Sequence, residues 1–151
     1  MDRDDFERFA ADARPRLQRA LLGVVGVDAV EDAVAEALAY GFEHWARVRE
    51  MENPVGYLYR VGRSRARSRR RPVRLFLEPN VVIPEVDDGV VESLLRLPES
   101  QRTAVWLVHG CAWSHREVAD VLDVSTSTVA THLARGTQRL REELRRINVV
   151  A

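Results

Sequence analysis

Two helix starts separated by only eleven residues constrain this chain more than any other feature of its sequence. Ser114 is followed three residues later by Glu117, which is the spacing of a capping box. Ser125 can cap a second helix, because its hydroxyl can accept a hydrogen bond from an amide of the first turn. Only one short helix and a sharp turn fit between the two starts. The sequence therefore predicts a helix-turn-helix over residues 114–140.

The residues around the turn agree with two helices that cross closely. Ala119 is small enough for the crossing point, and Asp123 tolerates the left-handed backbone that a sharp turn requires. Apolar residues flank both starts at the spacing of a hydrophobic staple, as the pairs Trp113–Val118 and Val124–Val129. We expect these apolar residues to form the small core of the motif.

The second helix of such a motif enters the major groove of DNA with its first turns. The residues predicted to lie on its exposed, DNA-reading side are Thr126, Ser127, Thr128, Ala130, Thr131 and Arg135. The alternative is an ordinary helical hairpin whose second helix is only solvated. The two caps, the two staples and the small crossing residue together favour DNA binding.

Charge is distributed unevenly, although the formal net charge is zero. Residues 60–74 contain 8 Arg and no acidic residue, whereas residues 1–59 contain 12 acidic and 7 basic residues. A compact basic block beside an acidic surface is typical of a defined binding site for a polyanion rather than of non-specific binding by the whole protein.

The basic block continues a helix that begins at Asn53 and Pro54, a cap followed by proline at the first helical position. Its first half offers apolar residues to a core, and Tyr57 lies among them. Aromatic side chains interleaved with Arg can stack the bases of a single strand, so this helix is predicted to contact nucleic acid. The alternative is a solvated charge run or a tail.

Two further helices are predicted before it, over residues 6–26 and 28–45, from apolar residues at helical spacing. Pro15 is expected to kink or break the first, and Asp28 to cap the second. The outer side of the second helix is acidic, with Asp32 and Glu36 among its residues. This side is either simply solvated or a docking surface for a basic partner.

The expected fold is all-α, with two small helical domains. The first spans residues 1–71, a linker with three prolines spans residues 72–89, and a four-helix domain with the helix-turn-helix spans residues 90–151. The single Cys111 excludes an internal disulfide and fits a reducing compartment. With no apolar run near the ~20 residues of a membrane span and an acidic start, a cytoplasmic protein without membrane contact is expected.

Catalysis, a cofactor and a metal are not predicted. His109, Cys111 and His115 fall within seven residues and could suggest a metal site. However, Gly110 ends one helix and Ser114 caps the next, so the three side chains need not converge, and a fourth ligand is not evident. No phosphate-binding glycine loop and no paired nucleophile and base are present.

Taken in chain order, the front helical domain, the linker and the terminal helix-turn-helix domain resemble the extracytoplasmic-function sigma factors of bacterial RNA polymerase. The resemblance covers about residues 5–146. It rests on DAVEDAVAEALAYGF, on NPVGYLYRVGRSRARSRRR, which begins at Asn53, and on a leucine-proline pair at Leu97 ahead of the terminal helix-turn-helix. The order and spacing of these pieces are more specific than any one of them.

This resemblance implies two partners, the RNA polymerase core and promoter DNA. It implies that the β′ clamp is contacted through Asp32, Glu36 and Phe42. The −10 promoter element would be melted and read by the loop 46–53 and the arginine-rich helix, through Asn53, Tyr57, Arg60, Arg63, Arg65 and Arg67. The −35 element would be read as duplex by the helix-turn-helix, and an anti-sigma factor is a further partner common in the family.

Some positions depart from the family pattern. Ala35 precedes Glu36 where the family often has Gln, Ser64 replaces the usual Asn, and Ala130 stands where the recognition helix often carries Lys or Arg. These departures indicate weaker promoter binding, an unusual −35 sequence or reduced binding to polymerase. Two other classes stay open: a helix-turn-helix regulator that does not recruit polymerase, and an adaptor that binds polymerase without sigma activity.

Overall fold

A computed structural model describes residues 2–67 and 88–150 of the chain. The chain divides into two compact units, Met1–Arg74 and Leu75–Ala151. Both are helical, and no strand occurs in the described ranges, so the predicted all-α class is confirmed. The linker predicted over residues 72–89 falls outside the described residues except for its last two positions, and the predicted domain limits therefore stay a prediction.

The front unit contains four helices: α1 (Asp2–Val25), α2 (Val30–Glu43), the short α3 (Trp45–Val48) and α4 (Pro54–Arg67). Helices α1, α2 and α4 pack against one another. Their shared core excludes water completely from Leu17, Leu21, Val34, Leu58 and Tyr59. Burial of such side chains contributes most of the favourable free energy of folding.

Close packing of α4 against its neighbours depends on Gly62. A Cβ at this position would lie 2.9 Å from Cδ1 of Leu21 in α1 and 3.2 Å from the backbone oxygen of Ala33 in α2. A larger residue there would force the Leu21 side chain and the backbone at Ala33 to move. The third helix of the bundle is thereby fixed against the other two.

Three local expectations for this unit are corrected. The loop expected over residues 46–53 begins inside a short helix, α3 (Trp45–Val48). Helix α1 is not broken at Pro15, because this residue lies on the exposed side, where water can satisfy the carbonyl of Ala11 that loses its amide partner. Asp28 is not the N-cap of α2. Ala29 occupies the N-cap position without a side-chain hydrogen bond, and the helix begins at Val30.

The rear unit contains α5 (Asp88–Leu95), α6 (Glu99–Val105) with a π-helical continuation (Trp106–Gly110), α7 (His115–Leu122) and α8 (Thr126–Val150). Helix α8 packs against α5, α6 and α7. Residues fully buried in this core include Leu107, Val118 and Val129. The long α8 is thus the element around which the unit is assembled.

The π-helical turn redirects the chain toward the helix-turn-helix. At its end, Gly110 lies so close to Trp106 that a Cβ would approach the indole ring to 2.5 Å. Ala112 then adopts a left-handed backbone with φ of 59°, and the Trp113 amide donates to the Leu107 oxygen at 2.9 Å. Trp113 is consequently buried just before α7 begins.

Candidate nucleic-acid interface

The start of α7 forms the predicted capping box. The Ser114 Oγ accepts a hydrogen bond from the Glu117 amide at 3.1 Å, and the Glu117 Oε1 accepts one from the Ser114 amide at the same distance. Trp113 and Val118, the predicted staple pair, are both buried. The first helix of the motif is therefore fixed at its N-terminus by side chains that the sequence identified.

The turn closes as expected, with one difference. Asp123 has the left-handed backbone, with φ of 56° and ψ of 49°, and the Val124 amide donates to the Ala119 oxygen at 3.0 Å. This backbone hydrogen bond is the longer bond of a Schellman motif. Val124 is 37 % exposed, whereas Val129 is fully buried. The expectation that Val124 packs into the core is wrong, because the turn leaves this side chain at the surface.

Helix α8 begins with a compact group of hydroxyls. The Ser125 Oγ accepts a hydrogen bond from the Thr128 amide at 3.1 Å, which confirms the predicted cap. The same oxygen lies 2.9 Å from the Ser127 Oγ and 2.9 Å from the Thr128 Oγ1. The first turn of α8 is thus fixed by side-chain hydrogen bonds as well as by the helix backbone.

Most residues predicted to read DNA lie on the solvent side of α8. Those classed as exposed are Thr126, Ser127, Ala130, Thr131 and Arg135, while Thr128 is partly buried beside the cap. The Thr131 Oγ1 donates to the Ser127 backbone oxygen at 3.0 Å. The first two turns therefore present short side chains, which allow a helix backbone to approach a groove closely.

A groove of about 510 Å³ continues along α8 from this surface. Its lining residues are His109, His115, Ala130, Leu133, Ala134, Thr137, Gln138 and Arg141. Among the described residues, no group of three or more metal-binding side chains comes together. His109 and His115 border this open groove, and Cys111 is half-buried.

In the front unit, two tyrosines and an arginine converge at the junction of α2, α3 and α4. The phenol oxygens of Tyr40 and Tyr57 lie 3.2 Å apart. One nitrogen of the Arg47 guanidinium donates to both, at 2.5 Å to Tyr40 and 3.2 Å to Tyr57. These three residues define the tyrosine cluster.

Planar and cationic groups extend the tyrosine cluster at the surface. The His44 ring stacks on the Tyr40 ring, with centroids 4.1 Å apart and an interplanar angle of 20°. The guanidinium carbon of Arg65 lies 5.5 Å from the Tyr40 ring centroid, and that of Arg47 lies 5.9 Å from the Tyr57 centroid. Such cation–π contacts are favourable and leave the charges accessible to solvent.

The two phenols differ in acidity. The hydrogen bond with Tyr57 lowers the pKa of Tyr40, and the charge of Arg47 acts in the same direction. The pKa of Tyr57 is raised, chiefly through the same hydrogen bond with Tyr40. The shared hydrogen bond therefore separates the pKa values of the two phenols, and Tyr40 is the more acidic.

Contacts with α1 hold α3 in place and with it Arg47. The Trp45 Nε1 donates to the Asp5 carboxylate at 3.2 Å, and the Arg49 guanidinium lies 3.2 Å from the same oxygen. The Asn53 Oδ1 accepts from the Gly56 amide at 3.0 Å, which fixes the start of α4. The loop between α3 and α4 is thereby anchored at both ends.

The arginines predicted for nucleic-acid contact differ in exposure. Arg60 and Arg65 are exposed, Arg63 is partly buried, and the side chain of Arg67 lies outside the described part of the chain. Sequence reasoning included Tyr57 and the loop 46–53, which contains Arg47, but missed Tyr40 and His44. The i, i+4 spacing of these two at the end of α2 is a signal that could have identified them.

The residues predicted to contact polymerase lie on α2. Asp32 is exposed and Glu36 is partly buried one turn later, while Phe42 is 53 % exposed. The Phe42 ring meets the Phe6 ring edge-on at a centroid distance of 5.4 Å. Phe42 thus lies beside an aromatic group of α1 and remains accessible. None of the described helices is long and apolar enough to cross a membrane.

Comparison with known proteins agrees with this architecture. The family model for sigma-70, region 4, matches residues 88–140. The extracytoplasmic-function RNA polymerase sigma factor SigW of Bacillus subtilis is 32% identical over 68 residues, which span 45% of this chain and 36% of that protein. The RNA polymerase sigma-E factor of Streptomyces coelicolor is 30% identical over 153 aligned residues, which cover 93% of this chain and 86% of that protein.

A solved structure supports the same fold. The sigma factor RpoE of Bartonella quintana, crystallised with the anti-sigma factor NepR, matches with a TM-score of 0.78 and 20% sequence identity. The match covers 93% of this chain and 97% of that one. Because the sequence relationship to the Streptomyces protein extends over most of both chains, this chain belongs to the extracytoplasmic-function sigma factors of bacterial RNA polymerase.

Proposed function

We propose that the protein binds core RNA polymerase and directs transcription initiation, with the rear unit reading duplex promoter DNA and the front unit holding one unpaired strand. The observation that carries the proposal is a helix-turn-helix in which both helix starts are capped and the start of α8 is exposed, combined with the family relationship. As a sigma factor, the chain would contribute binding free energy and specificity, while nucleotide chemistry belongs to the polymerase.

The rear unit would place α8 in the major groove at the −35 element. Thr126, Ser127, Thr128, Ala130 and Thr131 would face base edges with short side chains that permit a close approach. The exposed guanidinium of Arg135, one turn later, is suited to a phosphate. Phosphate contacts fix the register of a helix on DNA, whereas base contacts provide sequence selectivity.

The front unit would capture the −10 element as single-stranded DNA on the tyrosine cluster. Asn53 would position the start of α4, Tyr57 and Tyr40 would offer aromatic surface, and Arg60 and Arg65 would meet phosphates. Stacking of one base on an aromatic side chain is worth about 1–3 kcal/mol. The Arg65 guanidinium now lies over the Tyr40 ring, so a base entering there would displace it toward the strand. We propose the same phosphate role for Arg63 and Arg67.

The polymerase contact is proposed for α2. An accessible aromatic ring at Phe42 and the carboxylates of Asp32 and Glu36 combine an apolar anchor with negative charge, which suits a basic surface such as the β′ clamp. An anti-sigma factor is a further proposed partner, supported by the partner named for the related Bartonella structure. A cytoplasmic location is proposed with it.

In vitro transcription with purified core polymerase and genomic DNA fragments tests the proposal. We expect discrete transcription starts that depend on the added protein. Tight binding to core without any start would support an adaptor instead. Sequence-specific duplex binding with no effect on core would support a separate helix-turn-helix regulator, and either result would contradict the proposal.

A further inference from the structure

The hydroxyl of Thr131 is hydrogen-bonded within α8. Its O–H group donates to the Ser127 backbone oxygen at 3.0 Å, and a carbonyl oxygen cannot donate in return. A hydroxyl has one proton and two lone pairs, so the proton is already used within α8. The exposed side chain therefore presents hydrogen-bond acceptors and a methyl group to its surroundings.

The neighbouring side chains make the reading of bases by α8 depend more strongly on the Thr131 hydroxyl. The first two turns of α8 contain no Arg, Lys, Asn or Gln, which are the residues that make bidentate contacts to guanine or adenine. Both the Ser127 and Thr128 hydroxyls lie 2.9 Å from the Ser125 Oγ and are engaged in the cap. Thr131 lies one turn beyond this group, on the exposed side.

We infer that Thr131 determines specificity by selecting a base with an exocyclic amino group, adenine or cytosine on one strand, over guanine or thymine at that position. In the major groove adenine and cytosine offer an amino donor, whereas guanine and thymine offer keto oxygens at the corresponding place. The keto oxygen of guanine or thymine would face the lone pairs of the Thr131 hydroxyl. Both oxygens are acceptors, so neither would gain a hydrogen bond. The inference rests on the proposed reading of duplex DNA by the rear unit.

The test uses holoenzyme reconstituted from core polymerase and the full-length protein, with duplex promoters carrying every single-base change in the −35 element. Thr131→Val keeps the shape and removes the hydroxyl, while Thr131→Ser keeps the hydroxyl and the bond to Ser127. Thr137→Val makes the same chemical change two turns away and serves as the matched control. Competition binding measures the relative affinity for each promoter.

For the wild type, we expect one position at which adenine and cytosine are both preferred over guanine and thymine by about 3- to 10-fold, the worth of one hydrogen bond. Thr131→Val should abolish this preference at that position alone, and Thr131→Ser and Thr137→Val should keep it.

Three results would overturn the inference. A preference for guanine at the position sensitive to Thr131 would require the Thr131 hydroxyl to act as a donor. A preference for thymine that survives in Thr131→Val would indicate a contact between methyl groups instead of a hydrogen bond. An unchanged preference profile in Thr131→Val would remove the residue from base reading while leaving the proposed function intact. Loss of all −35 selectivity already in the wild type would instead contradict the proposed function itself.

Discussion

The hydroxyl of Ser114 and the carboxylate of Glu117 each accept an amide hydrogen bond at 3.1 Å, and these two bonds set the first residue of α7. Such contacts span three residues, so their spacing is visible in the sequence and was predicted. The tyrosine cluster was not, because Tyr40 and Tyr57 are separated by 17 residues and meet only after α2 and α4 pack. Local chemistry is thus readable from sequence, whereas convergence depends on the fold.

Replacement of Ser114 by Ala should destabilise α7. The Glu117 amide would lose its acceptor, and loss of an N-cap side chain typically costs about 1 kcal/mol. Native-state hydrogen exchange of the α7 amides measures this change directly. Ser100→Ala, at an exposed position of α6, is the control and should leave the α7 amides unaffected. Equal exchange in both variants would contradict the role assigned to the capping box.

Replacement of Tyr57 by Phe should raise the pKa of Tyr40. The hydrogen bond with Tyr57 is the leading cause of the lowered pKa of Tyr40, and a phenyl ring cannot form it. The reciprocal variant, Tyr40→Phe, should lower the pKa of Tyr57 for the corresponding reason. Titration by NMR of protein with ¹³C-labelled tyrosine resolves each phenol. An unchanged pKa of Tyr40 in the Tyr57→Phe variant would show that the two hydroxyls do not interact.

At the scale of helices, the sequence predicted the helical segments better than their ends and their close contacts. Apolar periodicity identified α1 and α2 because each buries one side against a neighbour, and the Ser125 cap identified the start of α8. Pro15 was expected to kink or break α1, and no break occurs because it lies on the solvent side, where a missing amide is tolerated. Periodicity also cannot predict the π-helical turn after α6, where Gly110 packs against the Trp106 ring.

Replacement of Gly136 by Ala should destabilise the rear unit, although Ala normally favours a helix over Gly by about 1 kcal/mol. A Cβ there would lie 2.7 Å from Cγ2 of Val105 and 3.1 Å from the Gln101 backbone oxygen. Overpacking of this kind costs about 1–3 kcal/mol, and urea denaturation measures it.

Two further variants make that measurement decisive. Ala134→Gly, at an exposed position of the same helix, gives the effect of helix propensity alone. Adding Val105→Ala to Gly136→Ala should recover part of the loss beyond additivity, because the nearest clashing atom is removed. A Gly136→Ala variant more stable than the wild type would contradict the close approach of α6 and α8.

Replacement of Arg60 and Arg65 by Gln should weaken binding of the protein to single-stranded promoter DNA and flatten its salt dependence. Each phosphate contact contributes about 0.7 to the slope of log affinity against log salt, so the slope should fall by about 1.4. Arg8 and Arg14 are exposed on α1, and their replacement by Gln changes the charge equally. An identical loss of DNA affinity in the Arg60/Arg65 and the Arg8/Arg14 double variants would indicate a general effect of net charge rather than a binding site.

At the scale of the whole chain, two compact units of similar length correspond to two proposed tasks. The family could be inferred from the sequence because its motifs occur in order along nearly the entire chain, and the comparison with the Streptomyces relative confirms it. The roles of individual residues could not be inferred with the same force, because departures such as Ala130 change the contacts available to DNA. Those roles stay predictions to be tested on the assembled complex.

Site-specific photo-crosslinking in the initiation complex tests this division of tasks most directly. A photoreactive amino acid would replace Tyr57 in the front unit or Thr131 in the rear unit, with core polymerase and a promoter bound. We predict that position 57 crosslinks to the unpaired strand of the −10 element and position 131 to duplex DNA of the −35 element. Crosslinks from position 57 to duplex DNA alone, or none from position 131 to the −35 element, would contradict it.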